Sequence, residues 1–299
     1  MTASSAGENM VEEKTMSRDT TDQQGAAVSL AGEDIHWDQT LSYGQYLGLE
    51  QVLSAQNPMT REHDEMLFIV IHQVSELWLK LSIHEMTGAL EQVRKDDLRP
   101  AFKMLSRVSR IQHQLIQAWE VLSTMTPADY LKFRDSLGES SGFQSYQYRT
   151  LEFMLGNKNA GMVEVHRSNP DVYKALKDVL DAPSFYDETL NLLWKRGFDI
   201  PVSHRDRNWA EPYSPNDKVE AAWAEIYHNT DRHWDLYELA EKLVDVEYHF
   251  QQWRFSHMKT VERIIGRRRG TGGTSGVNYL VKALDLKFFP ELWSVRTAL

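Results

Sequence analysis

The chain has 299 residues, 41% hydrophobic and 25% charged, a globular composition long enough for one large domain or two intimate ones. Forty-three acidic against thirty-three basic side chains give a formal charge of -10, a field that repels phosphate backbones and argues against a nucleic-acid partner. The absence of cysteine excludes disulfides, thiolate nucleophiles, iron–sulfur clusters and cysteine-ligated haem, so a metal would have to take His, Asp or Glu.

The opening MTASSAGENMVEEKTMSRDT lacks the basic start and apolar run of a secretory signal, which predicts a cytoplasmic protein with a disordered polar head over residues 1–35. Alternating runs of Val, Ile and Thr are nearly absent and no polar linker divides the rest, so residues 36–299 read as a single all-α domain. No segment reaches the roughly 18 apolar residues that span a bilayer, and no membrane is expected. A long helix is predicted from about Arg61 to Lys95, and a second begins near Pro100 and stops before Thr126. Thr126 as cap and Pro127 at the first helical position start a short helix through Tyr130 and Arg134 that fails at Gly138. Further helices are signalled from Ser145 to Leu155, Asn169 to Leu180 and Ser184 to Arg196, with an irregular stretch over 198–215. A helical pattern then runs from Asn216 to Ile265 with one break near Asn229, Gly270 to Gly276 is loop, and a last short helix covers about Val277 to Leu286.

Few residues stand out chemically. His72 ends the run Met66 to His72, apolar on every helical face, where a charged imidazole is costly. It is a functional neutral histidine or a core histidine bonded to a carbonyl. His257 follows Trp253 by four positions, with Phe250 a turn earlier, building an aromatic wall beside an imidazole; this floors a haem or forms a seam between helices. Tyr130 and Arg134, also four apart, offer a phenol and a guanidinium fork that clamp a carboxylate, or else Arg134 is a surface ion-pair partner. The loop Gly270 to Gly276 follows a helix, not a strand, so it reads as a mobile lid in preference to a phosphate cradle. A di-iron bundle would need paired Glu-x-x-His motifs. Glu225 to His228 is one; the other, Glu33 to His36, falls in the polar head.

Longer strings go further. Ser42 to Leu47, His63 to Ile69, His72 to Lys80, Phe133 to Asp135, Ser141 to Ser145 and Gly270 to Gly276 resemble the tryptophan 2,3-dioxygenase family in content, order and spacing, from about Tyr43 to the C-terminal helix. The resemblance implies an all-α helical bundle whose long helices enclose a haem pocket, assembled as a homotetramer with one haem b per subunit, ferrous in the active form. It implies insertion of both atoms of O2 across the indole C2–C3 bond of L-tryptophan to give N-formyl-L-kynurenine, the first step of the kynurenine pathway. On this resemblance His257 is the proximal iron ligand, with Trp253 and Trp119 in the haem pocket. His72 is the distal, catalytic histidine accepting the indole N–H, and Phe68 packs on the indole. Arg134 and Tyr130 clamp the carboxylate and Thr271 binds the amino-acid head group. Tyr43, Tyr46 and Leu47 are expected to reach a neighbouring subunit and cover its indole pocket.

Overall fold

The computed structural model describes residues 27–36 and 40–299, and the chain divides into two units, Met1–Ala55 and Gln56–Leu299. In the first, β1 (Ala27–Leu30) pairs antiparallel with β2 (Glu33–His36). The two residues between them, Ala31 and Gly32, both have positive φ, 53° and 86°, the backbone twist that closes a tight hairpin. The polar head expected over 1–35 is therefore corrected where it is described; residues 1–26 lie outside the described residues. Two short helices follow, α1 (Tyr43–Leu47), capped reciprocally by Ser42 and Gln45, and α2 (Leu49–Leu53). Neither buries a residue, which is why this segment separates from the domain expected to begin at residue 36.

The second unit is entirely helical: α3 (His63–Arg94), α4 (Leu98–Leu122), α5 (Pro127–Phe133), α6 (Tyr146–Leu155), α7 (Pro170–Asp181), α8 (Phe185–Lys195), α9 (Val202–Arg205), α10 (Asp217–His228), α11 (Trp234–Ile265), α12 (Val277–Leu284) and α13 (Pro290–Ala298). The fold class is all-α, as expected. Along α4, Leu98, Ala101, Leu105, Val108, Leu115, Ala118 and Leu122 are buried, a spacing of three and four that makes a stripe wide enough to pack on two partners. Those partners are α3 and α11, the helices that carry His72 and His257.

Local chemistry fixes how α3 begins. The buried Glu65 carboxylate accepts the Met59 and Thr60 amides, both at 2.7 Å, and the Thr60 hydroxyl at 2.5 Å. Burial pushes this carboxyl up, but the hydroxyl and the two amides outweigh it and hold it below the usual range. Phe68 and His72 are thereby set one and two turns beyond a pinned start. At α5, Thr126 accepts the Asp129 amide and Pro127 takes the first position, as the sequence predicts.

Three expectations are corrected. A short helix, α9, lies within the stretch read as irregular. The C-terminal α13 has no sequence counterpart, because its cap is Phe289 with no side-chain bond of its own; instead the buried Glu247 of α11 accepts the Phe288 and Phe289 amides at 2.8 and 3.0 Å. Finally, α3 contains an 18-residue window of mean hydropathy 1.4, long and apolar enough to cross a membrane by length and composition. That average arises although His72, Glu76 and Lys80 interrupt the run, and the helix packs along α4.

Candidate active site

The helices α3, α4, α5, α6, α11 and α12 surround a cavity of about 940 Å³, at the upper end of sizes found for small-molecule sites. Phe68, His72, Trp119, Tyr130, Trp253, His257 and Thr271 all line it. Seven residues spread over 200 positions of sequence are thus brought to one place.

Their mutual geometry is specific. The His257 ring stacks on Trp119 at 4.5 Å and 13°, and Trp253 lies 5.8 Å from both rings, so the three form one aromatic cluster. Burial, with the nearby His72 as a smaller contribution, pushes the His257 imidazole down to about 4, so it is neutral and able to offer a lone pair. On α3, His72 Nδ1 lies 2.7 Å from the Phe68 carbonyl oxygen. A carbonyl only accepts, so Nδ1 carries the proton and Nε2 of the neutral ring bears the lone pair. Burial holds His72 below its ordinary range, against the opposing pull of the Phe68 carbonyl and Glu76. The reading of His72 as a histidine bonded to a carbonyl holds, and that bond leaves Nε2 as the acceptor atom of the ring.

The Phe68 ring lies 4.2 Å from His72, tilted by 38°, and reaches Tyr130 at 6.1 Å and Phe133 at 5.7 Å, an aromatic corner suited to a flat ring. Burial raises the Tyr130 phenol, opposed by the charge and hydrogen bond of Arg134, so the predicted pair is in contact. Arg134 itself stands just past α5, in a short 3-10 turn (Arg134–Leu137). Its Nη2 donates to the Arg269 carbonyl of the glycine-rich loop at 3.0 Å. Thr271 of the same loop donates to the Ser140 carbonyl at 2.6 Å, and Gly272 lies against Ser141 so closely that a Cβ would be 2.7 Å from that side chain. The loop rests on residues 140–141 as a lid. Tyr43, Tyr46 and Leu47 belong to the N-terminal unit, where they are exposed.

Spacing did not single out Tyr148, Arg149, Glu152 or Arg254, which line the same cavity. Glu152 accepts Tyr148 Oη at 2.8 Å and Arg254 Nη2 at 2.7 Å, and also bonds Arg149. The pairs Arg149–Glu152 and Tyr148–Glu152 are three and four apart on α6, a signal present in the sequence. The reach to Arg254 is not. The di-iron alternative has no support, since Glu225 and His228 are exposed on α10 and no three His, Asp or Glu side chains converge among the described residues.

A family model described as tryptophan 2,3-dioxygenase matches residues 31–299. The chain belongs to the tryptophan 2,3-dioxygenase family. It is 57% identical over 276 residues to the tryptophan 2,3-dioxygenase of Burkholderia multivorans, covering 90% of this chain and 89% of that one. The protein of that name from Paraburkholderia phytofirmans is 56% identical over 265 residues (89% and 87% of the two chains), and tryptophan 2,3-dioxygenase 1 of Ralstonia nicotianae is 56% identical over 263 (88% and 90%).

The tryptophan 2,3-dioxygenase family is haem-dependent, and the residues of this cavity fit such a group. His257 supplies a neutral imidazole, and Trp119 with Trp253 supplies aromatic walls. Trp119 Nε1 and Trp253 Nε1 are buried donors on the cavity wall without a hydrogen-bond partner among the described residues, a state that costs free energy unless a ligand supplies acceptors.

Proposed function

We propose that the chain is a haem dioxygenase that inserts both atoms of O2 across the indole C2–C3 bond of L-tryptophan, releasing N-formyl-L-kynurenine. The observation that carries this reading is the His72 tautomer: with Nδ1–H held by the Phe68 carbonyl, Nε2 is a bare acceptor, in an apolar corner, for an indole N–H. One haem b per subunit, ferrous when active and ligated by His257, would supply the centre for O2 binding and electron transfer.

The chain's own residues do the rest. The Phe68 ring packs on the indole and His72 Nε2 fixes its rotation by one hydrogen bond. Arg134 offers a planar fork to the carboxylate and the Tyr130 hydroxyl a third donor. Thr271 meets the amino-acid head group as the lid settles, and the closed lid keeps water from the reacting atoms. Orientation of the substrate is the main contribution of the protein.

Self-association as a tetramer is part of this reading. Met66, Val70, Val74 and Leu77 are exposed on α3 at spacings of three and four, an apolar stripe of the kind a second copy covers. Tyr43 and Tyr46, each 76% exposed, suit the role of covering the indole pocket of a neighbouring subunit. Cytoplasmic residence and independence from membranes belong to the same reading, supported by the engagement of α3 with α4.

Reducing the haem-loaded protein without air and then adding L-tryptophan and O2 tests the reading. Formation of N-formyl-L-kynurenine is the expected result. A Soret band without product would make the protein a haem sensor, and no Soret band on haem addition would overturn the cofactor assignment.

A further inference from the structure

Two guanidinium groups are buried in the cavity wall, and between them they share one carboxylate. Arg149 and Arg254 are 5% and 3% exposed, and the Glu152 that both contact is 2% exposed. Arg254 uses four of its five donors: Nη2 bonds Glu152, Nη1 donates to the Ala283 and Leu286 carbonyls at 3.2 Å, and Nε faces Tyr148 Oη at 3.4 Å. Arg149 is far less engaged. A guanidinium carries five N–H donors, and among the described residues only Nη1 of Arg149 is engaged, on Glu152.

Glu152 has little left to give. Its Oε1 already accepts from Tyr148, Asn157 and Arg254. The other neighbouring acids are committed elsewhere: Glu76 accepts from Gln147, and Glu247, which feels the charge of Arg254, is spent on the Phe288 and Phe289 amides. Lys158, also on the wall, is absorbed by the Val179, Leu180 and Ala182 carbonyls at the end of α7. In a chain of net charge -10, the cavity lining holds four cations (Arg149, Lys158, Arg254, Lys282) against three acids (Glu76, Glu152, Glu211). A buried cation with unused donors calls for an anion.

The position of Arg149 says which anion. Its guanidinium lies 5.4 Å from the Tyr148 ring, Tyr148 lies 5.1 Å from Trp253, and Trp253 lies 5.8 Å from His257, so a continuous aromatic wall joins it to the proposed iron ligand. Arg134, by contrast, sits at the lid. We propose that Arg149 anchors a carboxylate of the haem, a propionate, at a site separate from the Arg134 clamp for the carboxylate of the amino acid. This rests on the haem assignment made above.

The test compares iron protoporphyrin IX with its dimethyl ester, titrated into haem-free protein and followed by the Soret band. A charge-assisted bond to a buried guanidinium predicts that wild type binds the free acid about tenfold or more tighter than the ester. Arg149→Met should bring that ratio near one with ester affinity unchanged, Arg149→Lys should keep most of the preference, and Arg134→Leu should leave the ratio at its wild-type value. The proposal is overturned by a wild-type ratio near one, by Arg149→Met weakening both porphyrins equally, or by Arg134→Leu erasing the preference. If Arg149→Met does not fold, the wild-type and Arg149→Lys ratios still decide. Binding of neither porphyrin would instead overturn the haem assignment itself.

Discussion

Replacing Gly272 by alanine should disable the lid while leaving the rest of the site intact. The added Cβ would lie 2.7 Å from Ser141 Cβ and 2.9 Å from its Oγ, against about 3.5–4.0 Å for a relaxed carbon contact. Gly272 has no left-handed backbone to defend, so the substitution probes sterics alone. Relieving the overlap needs the loop to lift by nearly an ångström, and overpacking of this kind costs about 1–3 kcal/mol. Because the loop seats only when closed, that cost falls on the closed state and lowers kcat/KM for tryptophan by about 5- to 150-fold. Haem affinity and unfolding midpoint should stay at their wild-type values. Ser141→Gly should then rescue Gly272→Ala by removing the opposing Cβ. Ser141 caps the short turn at Gly142–Gln144 by accepting the Phe143 amide at 3.3 Å, and glycine at a cap costs only a few tenths of a kcal/mol. Steady-state kinetics of the two single variants and the double would refute the reasoning if Gly272→Ala kept wild-type kcat/KM, or if the double variant were no better than Gly272→Ala.

Three further outcomes are expected. Between pH 6.5 and 4 the unfolded chain holds a proton on His257 that the folded, haem-free protein sheds, so its stability is full above about pH 7 and falls with pH, by about 2 kcal/mol at pH 5; urea unfolding of wild type against His257→Leu should show that drift, and a constant difference would contradict the burial assignment. Arg134→Leu should weaken tryptophan binding to the ferrous protein by about 2–5 kcal/mol, since it strands a desolvated carboxylate, while indole without the amino-acid head group should bind as before in a spectroscopic titration. His72→Ala should keep haem and lose about two- to tenfold in kcat/KM, the value of one neutral hydrogen bond; complete loss with intact haem would instead indicate obligatory proton transfer at Nε2.

What could be read from the sequence follows the range of the forces involved. The long helices were legible because α4 and α11 advertise their buried faces every three or four residues, and α5 because Thr126 and Pro127 are a local cap. The hairpin was not, since four-residue strands are too short to show a period. The last helix was hidden because the carboxylate that holds its entry, Glu247, comes from about forty residues upstream. The same division runs through the site. Tyr130 with Arg134, and Trp253 with His257, share a helical turn and were visible as pairs. The stack of Trp119 on His257, the Arg254 bond to Glu152 and the seating of Gly272 on Ser141 join positions more than 100 residues apart, and nothing in local spacing announces them.

Phe68 contributes to the site through two atoms groups that obey different rules. Its ring forms the aromatic corner, whereas its backbone carbonyl sets where the proton sits on His72. Any residue that keeps α3 helical presents the same carbonyl, so the ring can be enlarged, shrunk or replaced without disturbing the imidazole tautomer. On the proposed function, shape selection among indoles and the protonation pattern of His72 are thereby inherited independently, although one residue encodes both. A lineage, or a designer, can drift through leucine, tyrosine or tryptophan at position 68 in search of new substrates while the acceptor at Nε2 persists unchanged.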